Sequence, residues 1–277
     1  MVHKEISSLF KSGSRTYFYS SLFFPKDVKE DIFILYGFVR KADNFVDSIP
    51  QQKNNFESFK KAYESALSGN KSNDIAIGSF MELMEKRGFN KEWVDAFLHA
   101  MELDLTKKIY MTLKETKEYM YGSAEVIGLM MSKILGLPER SFNSAKYLGR
   151  AMQYINFIRD IVEDIKFGRT YLPKDEMDSF GIKSLELVHT KQNRENFTSF
   201  IHSQLLKYEE WQKKAEEGYR YIPRRYLIPI KTASDMYMWT AQQIKKDPFV
   251  VYRKKVKPSK ARIIFTACKN MFCREVK

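Results

Sequence analysis

Two stretches of this chain place oxygen-bearing side chains four residues apart. In Arg40-Lys-Ala-Asp43-Asn-Phe-Val-Asp47 the two carboxylates stand at i and i+4, about 40° apart around a helix and one turn along it, so they share a face. Asn156-Phe-Ile-Arg159-Asp160-Ile-Val-Glu-Asp164 repeats the device with Asn156, Asp160 and Asp164. Two such helices facing each other line a cavity with oxygen ligands on opposite walls. An all-oxygen set suits a hard cation, and Mg²⁺ takes a few carboxylates together with substrate phosphate and water. Aspartate pairs at helical spacing more often mark a solvated face. Here Ala42, Phe45 and Val46 crowd the first pair, and Ile155, Phe157, Ile158, Ile161 and Val162 crowd the second. Carboxylates in such company must be paired or bind metal. Arg40 precedes Asp43 by one turn, and Arg159, Lys166 and Arg169 flank the second cluster. Arginine binds phosphate bidentately, and with a metal it turns a diphosphate into a good leaving group. The plainer alternative is a set of ordinary i,i+3 and i,i+4 salt bridges.

Helices must position these groups. Apolar periodicity predicts helices over 28–46 (opened by Pro25 and Lys26), 54–68, 74–85, 91–110, 113–135, 141–164, 193–218 and 230–246, with a last one from 259 onward. Gly136-Leu137-Pro138 is a strong stop signal, and residues 168–181, with Pro173 and two glycines, read as a loop with short turns. Glycine (12) and proline (8) are scarce in these 277 residues, which argues against a strand-rich fold with many turns. The expectation is an all-α chain, with residues 1–277 forming one domain of packed helices.

Composition narrows the class. Hydrophobic residues make up 44% and charged residues 29% of the chain, a globular balance that excludes wholesale disorder. No apolar run reaches the roughly 18 residues that span a bilayer, and the first eleven residues lack a signal-peptide core. Cys268 and Cys273 have neither a second pair nor a neighbouring histidine, so they suggest reduced thiols in a cytosol rather than a disulfide framework or a zinc site. The formal net charge of +13 fits a nucleic acid, an anionic membrane or a polyanionic substrate. The basic run Arg253-Lys-Lys-Val-Lys-Pro-Ser-Lys-Ala-Arg262 is what a nucleic-acid-binding reading rests on. Against it, the paired carboxylates repel a polyanion and no reading motif is present, so no nucleic-acid partner is expected.

Four segments, in order, resemble the squalene/phytoene synthase family of head-to-head trans-isoprenyl diphosphate synthases. They are Ser14-Arg15-Thr16-Tyr17 with Leu22-Phe-Phe-Pro25; Tyr36-Gly-Phe-Val-Arg-Lys-Ala-Asp43-Asn-Phe-Val-Asp47; Tyr119-Met-Tyr-Gly-Ser-Ala-Glu-Val-Ile-Gly128; and Gln153-Tyr-Ile-Asn156 through Asp164 to Arg169-Thr-Tyr-Leu-Pro173. The last is the most specific, and the first and third look most like microbial phytoene synthases. The resemblance implies an isoprenoid-synthase helical bundle around a central apolar channel. It implies that Asp43, Asp47, Asn156, Asp160 and Asp164 hold Mg²⁺, or Mn²⁺ in its place, and that Ser14, Arg15, Arg40, Gln153, Arg159 and Arg253 contact diphosphate. Arg40 also assists departure of the diphosphate, and Tyr119 and Tyr237 face the reacting carbons or the leaving group. Phe18, Phe38 and Phe157 are further candidates for stabilising a carbocation.

The implied reaction condenses two prenyl diphosphates, geranylgeranyl diphosphate being the expected substrate and phytoene the product. A squalene or dehydrosqualene synthase using farnesyl diphosphate is the alternative, with NADPH required only in the squalene-type case. Two departures from the family pattern stand out. Asn44 follows Asp43 where many members are acidic, and Glu125 stands where many carry glycine. Eleven lysines and arginines between residues 245 and 277, against Asp247 and Glu275, point to a cytoplasmic protein that touches anionic membrane peripherally. The apolar residues among those cations are expected to face the bundle.

Overall fold

The computed structural model describes residues 6, 8, 10 and 15–272, apart from the side chain of Arg15. Ser14 and Cys273 therefore lie outside the described residues, as does any contact of the Arg15 guanidinium. Helices follow one another as α1 (Arg15–Ser21), α2 (Lys26–Val46), α3 (Lys53–Leu67), α4 (Ile75–Arg87), α5 (Lys91–Thr106), α6 (Leu113–Met120) and α7 (Val126–Ile134). Then come α8 (Phe142–Arg159), α9 (Ile161–Lys166), α10 (Lys174–Ser179), α11 (Leu187–Gln192), α12 (Arg194–Glu216), α13 (Arg224–Lys246), α14 (Val250–Arg253) and α15 (Lys260–Phe272). Among the described residues the only β-type pairing is a single bridge between Ile109 and Thr170. Side-chain caps start several helices: Asp74 accepts from the amides of Ala76 and Ile77, Asn90 from Glu92 and Thr112 from Glu115.

Departures from the sequence reading have local causes. Helix α5 stops at Thr106, short of residue 110, because the next residues pair with another segment. The Thr170 amide donates to the Lys108 carbonyl (2.7 Å) and the Tyr110 amide to the Thr170 carbonyl (3.3 Å). The expected 113–135 helix is interrupted by one π-helical stretch, Tyr121–Glu125, a deformation often found at functional sites. The expected 141–164 helix breaks at Asp160 (φ −100°, ψ 17°). Within 168–181 the six residues of α10 are helical, and α13 begins at Arg224, earlier than residue 230. It carries Pro229 inside, where sequence reasoning takes a proline as a boundary.

Helix α8 organises the bundle. Ala151, Tyr154, Ile155 and Ile158 are fully buried on it, and it packs against α12, α7, α13 and the π-helical stretch. A Cβ on Gly149 would stand 2.5 Å from the Ala124 carbonyl oxygen, so glycine is what lets α8 lie directly on that stretch. At the other side of the core, Phe38 stacks on Phe80 at 3.9 Å between centroids and packs against Phe59, Tyr63 and Phe97.

Candidate active site

A cavity of about 610 Å³ runs between α1, α2, the π-helical stretch, α7, α8 and α13. Its lining changes character along its length. On α2 it passes from Ile32 and Leu35 to Arg40, Asp43 and Asp47, and on α8 from Ala145 and Leu148 to Gln153, Asn156 and Arg159, with Asp160 just beyond. The apolar end contains serines, and three of them turn their hydroxyls into the backbone, whereas the buried Ser123 hydroxyl has no hydrogen-bond partner. Ser20 Oγ donates to the Thr16 carbonyl (2.9 Å), Ser132 Oγ to Gly128 (3.0 Å) and Ser141 Oγ to Pro138 (2.7 Å). That end therefore presents a mainly hydrocarbon surface.

At the polar end, Asp43 lies in the last turn of α2 and Asn156 in the last turn of α8, where the helix macrodipole disfavours negative charge. Cations hold the carboxylates. Arg40 Nη1 bonds Asp43, Arg169 Nη1 donates to Asp47 Oδ1 (2.7 Å), and Arg159 Nε donates to Asp160 Oδ1 (2.8 Å) while its Nη2 reaches the other oxygen. Neighbouring residues on a regular helix diverge by about 100°, so the break at Asp160 is what permits this bidentate grip. Gly168, at φ 66°, turns the chain back after α9: its amide reaches the Ile165 carbonyl and that of Arg169 reaches Asp164. Arg169 is thereby delivered beneath Asp47.

Sequence reasoning missed the hub behind Arg169. Buried Asp104 accepts from Tyr119 Oη (2.7 Å) and Tyr171 Oη (2.6 Å), and Arg169 Nη1 stands 3.9 Å from it. Phe157 stacks on Tyr171 at 4.5 Å. The available signal was an acidic residue falling on the apolar face of α5 with Phe97 and Met101.

Burial dominates the electrostatics. Asp43 is pushed up to about 7 by burial and by the charge of Asp47, against the pull of Arg40, and Asp104 up to about 6 by burial against Arg169. Burial, with Asp160 and Asp47, also holds Asp164 well above the ordinary range. Asp160 goes the other way. Burial opposes its charge, but Arg159 and Lys255 outweigh burial and keep it below the ordinary carboxylate value.

A pH dependence of stability follows. Between the ordinary carboxylate value of 3.8 and about 7, folded Asp43 keeps a proton that the unfolded chain has released. The folded state binds more protons across this window, so this contribution to stability falls as pH rises through it. Asp160, shifted downward, acts below the window. We expect the melting temperature of metal-free protein to drop between pH 5 and pH 7.5, and Asp43→Asn to flatten that slope. Parallel pH profiles for parent and variant would exclude it.

The cavity brings together Arg40, Asp43, Asp47, Tyr119, Gln153, Asn156, Arg159, Asp160, Asp164 and Tyr237. Tyr237 packs against Tyr17 at 5.7 Å, and Asn156 Nδ2 donates to Gln153 Oε1 at 3.3 Å. Arg253 is not brought in: its guanidinium pairs with Asp247 and lines no part of the cavity. Lys255 and Lys257 occupy that edge instead. They flank buried Val256 in the irregular segment that follows α14. Lys255 pairs with Asp160 (3.3 Å) and Glu163. Of the aromatic candidates, Tyr119, Tyr237 and Phe157 line the cavity, whereas Phe18 and Phe38 do not. Glu125 lies off the lining too, buried against Arg150 Nε at 2.7 Å.

The donor set fits a hard divalent cation. It consists of oxygens, Asn156 Oδ1 is buried without a hydrogen-bond partner, and Asp43 and Asp164 resist ionising without added positive charge. Among the described residues no three His, Cys, Asp or Glu side chains converge to hold a metal unaided. The fit is to a cation whose shell is completed by substrate oxygens.

Comparison with known proteins bears on the chain and its fold as a whole. A family model described as squalene/phytoene synthase matches residues 10–262. The 15-cis-phytoene synthase of Paracoccus sp. is 25% identical over 259 residues, spanning 90% of this chain and 84% of its own length. The phytoene synthase of Pseudescherichia vulneris is 26% identical over 241 residues, spanning 82% and 77% respectively. Among solved structures, a dehydrosqualene synthase in complex with ligand has a TM-score of 0.85 at 22% identity, covering 96% of this chain and 94% of that one. The squalene synthase from Alicyclobacillus acidocaldarius has a TM-score of 0.78 at 18% identity, covering 88% and 93%. These two structures carry the fold.

Proposed function

This chain belongs to the squalene/phytoene synthase family, and on that premise we propose that it joins two geranylgeranyl diphosphates to give phytoene, with Mg²⁺ as the cation and the whole chain as one catalytic domain. The observation that carries the reading is the gradient along a single cavity, from carboxylates and guanidinium groups at one end to a hydrocarbon lining at the other. The phytoene synthases among its relatives support this product over squalene.

Asp43, Asp47, Asn156, Asp160 and Asp164 are the residues that would hold the cation. When bound, it supplies positive charge that stabilises the departing diphosphate. Arg40 and Arg159 bind and orient the diphosphate oxygens, as does Gln153. The C1–O bond of one substrate breaks, and its electron pair leaves with the diphosphate. The double bond of the second substrate attacks the allylic cation, and loss of a proton closes a cyclopropane ring. Departure of the second diphosphate opens the rearrangement, and loss of a second proton ends it. A squalene-type reaction would instead end on hydride from NADPH. The apolar lining excludes water from these cations, and the faces of Tyr119, Phe157 and Tyr237 offer them aromatic stabilisation.

The decisive experiment incubates purified protein and Mg²⁺ with geranylgeranyl or farnesyl diphosphate, with and without NADPH. Phytoene, formed independently of NADPH, is expected. Squalene from farnesyl diphosphate alone among the substrates would replace the reading, and no hydrocarbon from either would overturn it.

Lys255 and Lys257 add positive charge where the diphosphate enters. Replacing both by Met should raise KM by roughly tenfold, the worth of one or two charge-assisted contacts, with a smaller change in kcat. Equal losses in kcat and kcat/KM would instead place these lysines in the ionisation step.

The same basic C-terminal region supports peripheral attraction to anionic membrane. Among the described residues no helix is long and apolar enough to cross one.

A further inference from the structure

Helix α15 buries Ile263, Ala267 and Asn270 against α13 and α1. A position two residues further on points about 200° around a helix, so the side facing straight away from the bundle passes through Phe265 and Phe272. Such an outward face is ordinarily the polar one. Here Phe265 is 72% exposed and Phe272 84%, with Ile264 and Met271 more than one-third exposed beside them. Ala261 and Cys268 continue that face on one side, and Lys269, two residues beyond buried Ala267, stands at its other edge, so the strip through Ala261, Phe265 and Phe272 carries no charge.

Cations border it. Lys260, Arg262 and Lys269 are exposed, and the helix contains no acidic residue. Two are seated on rings of the neighbouring helices, the Lys260 ammonium 5.0 Å from the Tyr19 ring and the Arg262 guanidinium 4.8 Å from the Trp239 ring. Arg224 donates to the Met271 carbonyl at 2.7 Å, which adds a fourth cation at the end of the helix. An apolar strip edged by fixed positive charge complements an anionic bilayer, whose headgroups meet the cations while the rings enter the acyl boundary. A second copy of the chain would bring the same cations against themselves.

We propose that the outward face of α15, centred on Phe265 and Phe272, inserts into the interface of anionic membrane. Membrane contact is then more than electrostatic attraction. The helices that support α15, α1 and α13, also form one wall of the cavity through Tyr17, Ser21, Ile230 and Tyr237. Docking through α15 therefore sets that wall beside lipid.

The test needs no turnover, so its outcome is independent of the proposed reaction. Full-length protein is floated with phosphatidylcholine vesicles and with vesicles containing phosphatidylglycerol, and Phe265→Ser/Phe272→Ser is compared with the parent. In parallel, a nitrobenzoxadiazole label is placed on Cys268 in a Cys273→Ser background. Preferential binding to the anionic vesicles is expected, with a blue shift of the label and a loss of about tenfold or more in partitioning for the double variant. Unchanged binding of the double variant, or a label that stays in water while the protein floats, would overturn the proposal. So would a dimer in sedimentation equilibrium that the double variant dissociates while vesicles remain unbound.

Discussion

Asp43→Ala, Asp160→Ala and Asp164→Ala are each expected to lower turnover by roughly a hundredfold or more, since each removes an oxygen donor from the site where negative charge departs. Helical circular dichroism should persist. The three should differ in stability, and that difference is specific to the observed pairing. Asp43 and Asp164 resist ionising where they stand, so their loss relieves a burial cost at pH 7.5. The melting temperature should be unchanged or higher for Asp164→Ala, while for Asp43→Ala the unpairing of Arg40 offsets part of that relief. Asp160 is charged and gripped by Arg159 and Lys255. Removing it leaves Arg159 with a largely buried, unpaired guanidinium, and the melting temperature should fall. Steady-state rates across a Mg²⁺ series and melting curves on the same samples check both parts. Near-parental turnover at limiting Mg²⁺ in all three would remove the metal assignment.

The parts of this site that were legible in the sequence are those carried by local spacing. Asp43 and Asp47 share a face because α2 is regular up to Val46, and periodicity alone predicts that. The order of helices was legible for the same reason, with caps and glycine stops marking their ends. Long-range pairing was hidden. Nothing local says that Arg169 turns back to Asp47 across 122 positions, or that the 108–110 segment pairs with Thr170 and cuts α5 short. Nor does it say that Lys255 and Lys257, rather than Arg253, reach the cavity. The last case turned on conformation: α14 ends at Arg253, which pairs with Asp247, while the irregular segment beyond it brings Lys255 and Lys257, either side of a buried valine, to the cavity. The expectation for the C-terminal apolar residues was half right. Ile263 faces the bundle, but Phe265 and Phe272 face away from it, a distinction fixed by the rotational setting of α15 on α13.

Asp104→Ala is expected to cost about 3–5 kcal/mol in unfolding free energy, the usual range for removing one partner of a buried charge pair. Asp104 balances Arg169, whose Nε is already buried without a partner, and it accepts from the hydroxyls of both Tyr119 and Tyr171. The alanine variant leaves two buried hydroxyls and part of a guanidinium unsatisfied in one place, each with its own desolvation cost. Small domains are stable by about 5–15 kcal/mol in all, so this single change should bring unfolding within reach of modest urea. Asp104→Asn keeps an acceptor while dropping the charge and should lose less at pH 7.5. It should nearly match the parent at pH 5, where Asp104, pushed up to about 6, is itself largely protonated. The effect should extend to turnover, because Asp104 and Tyr171 line the cavity together with Tyr119 and Phe157, and the Tyr171 ring lies 5.0 Å from that of Tyr119 and 4.5 Å from that of Phe157. Urea titrations of parent, Asn and Ala proteins at the two pH values test the whole chain of reasoning. An Asn variant that is as unstable as Ala at pH 5 would overturn this account, because it would show that the shape and acceptor asparagine keeps do not hold the hub and that Asp104 still acts there through its carboxylate charge.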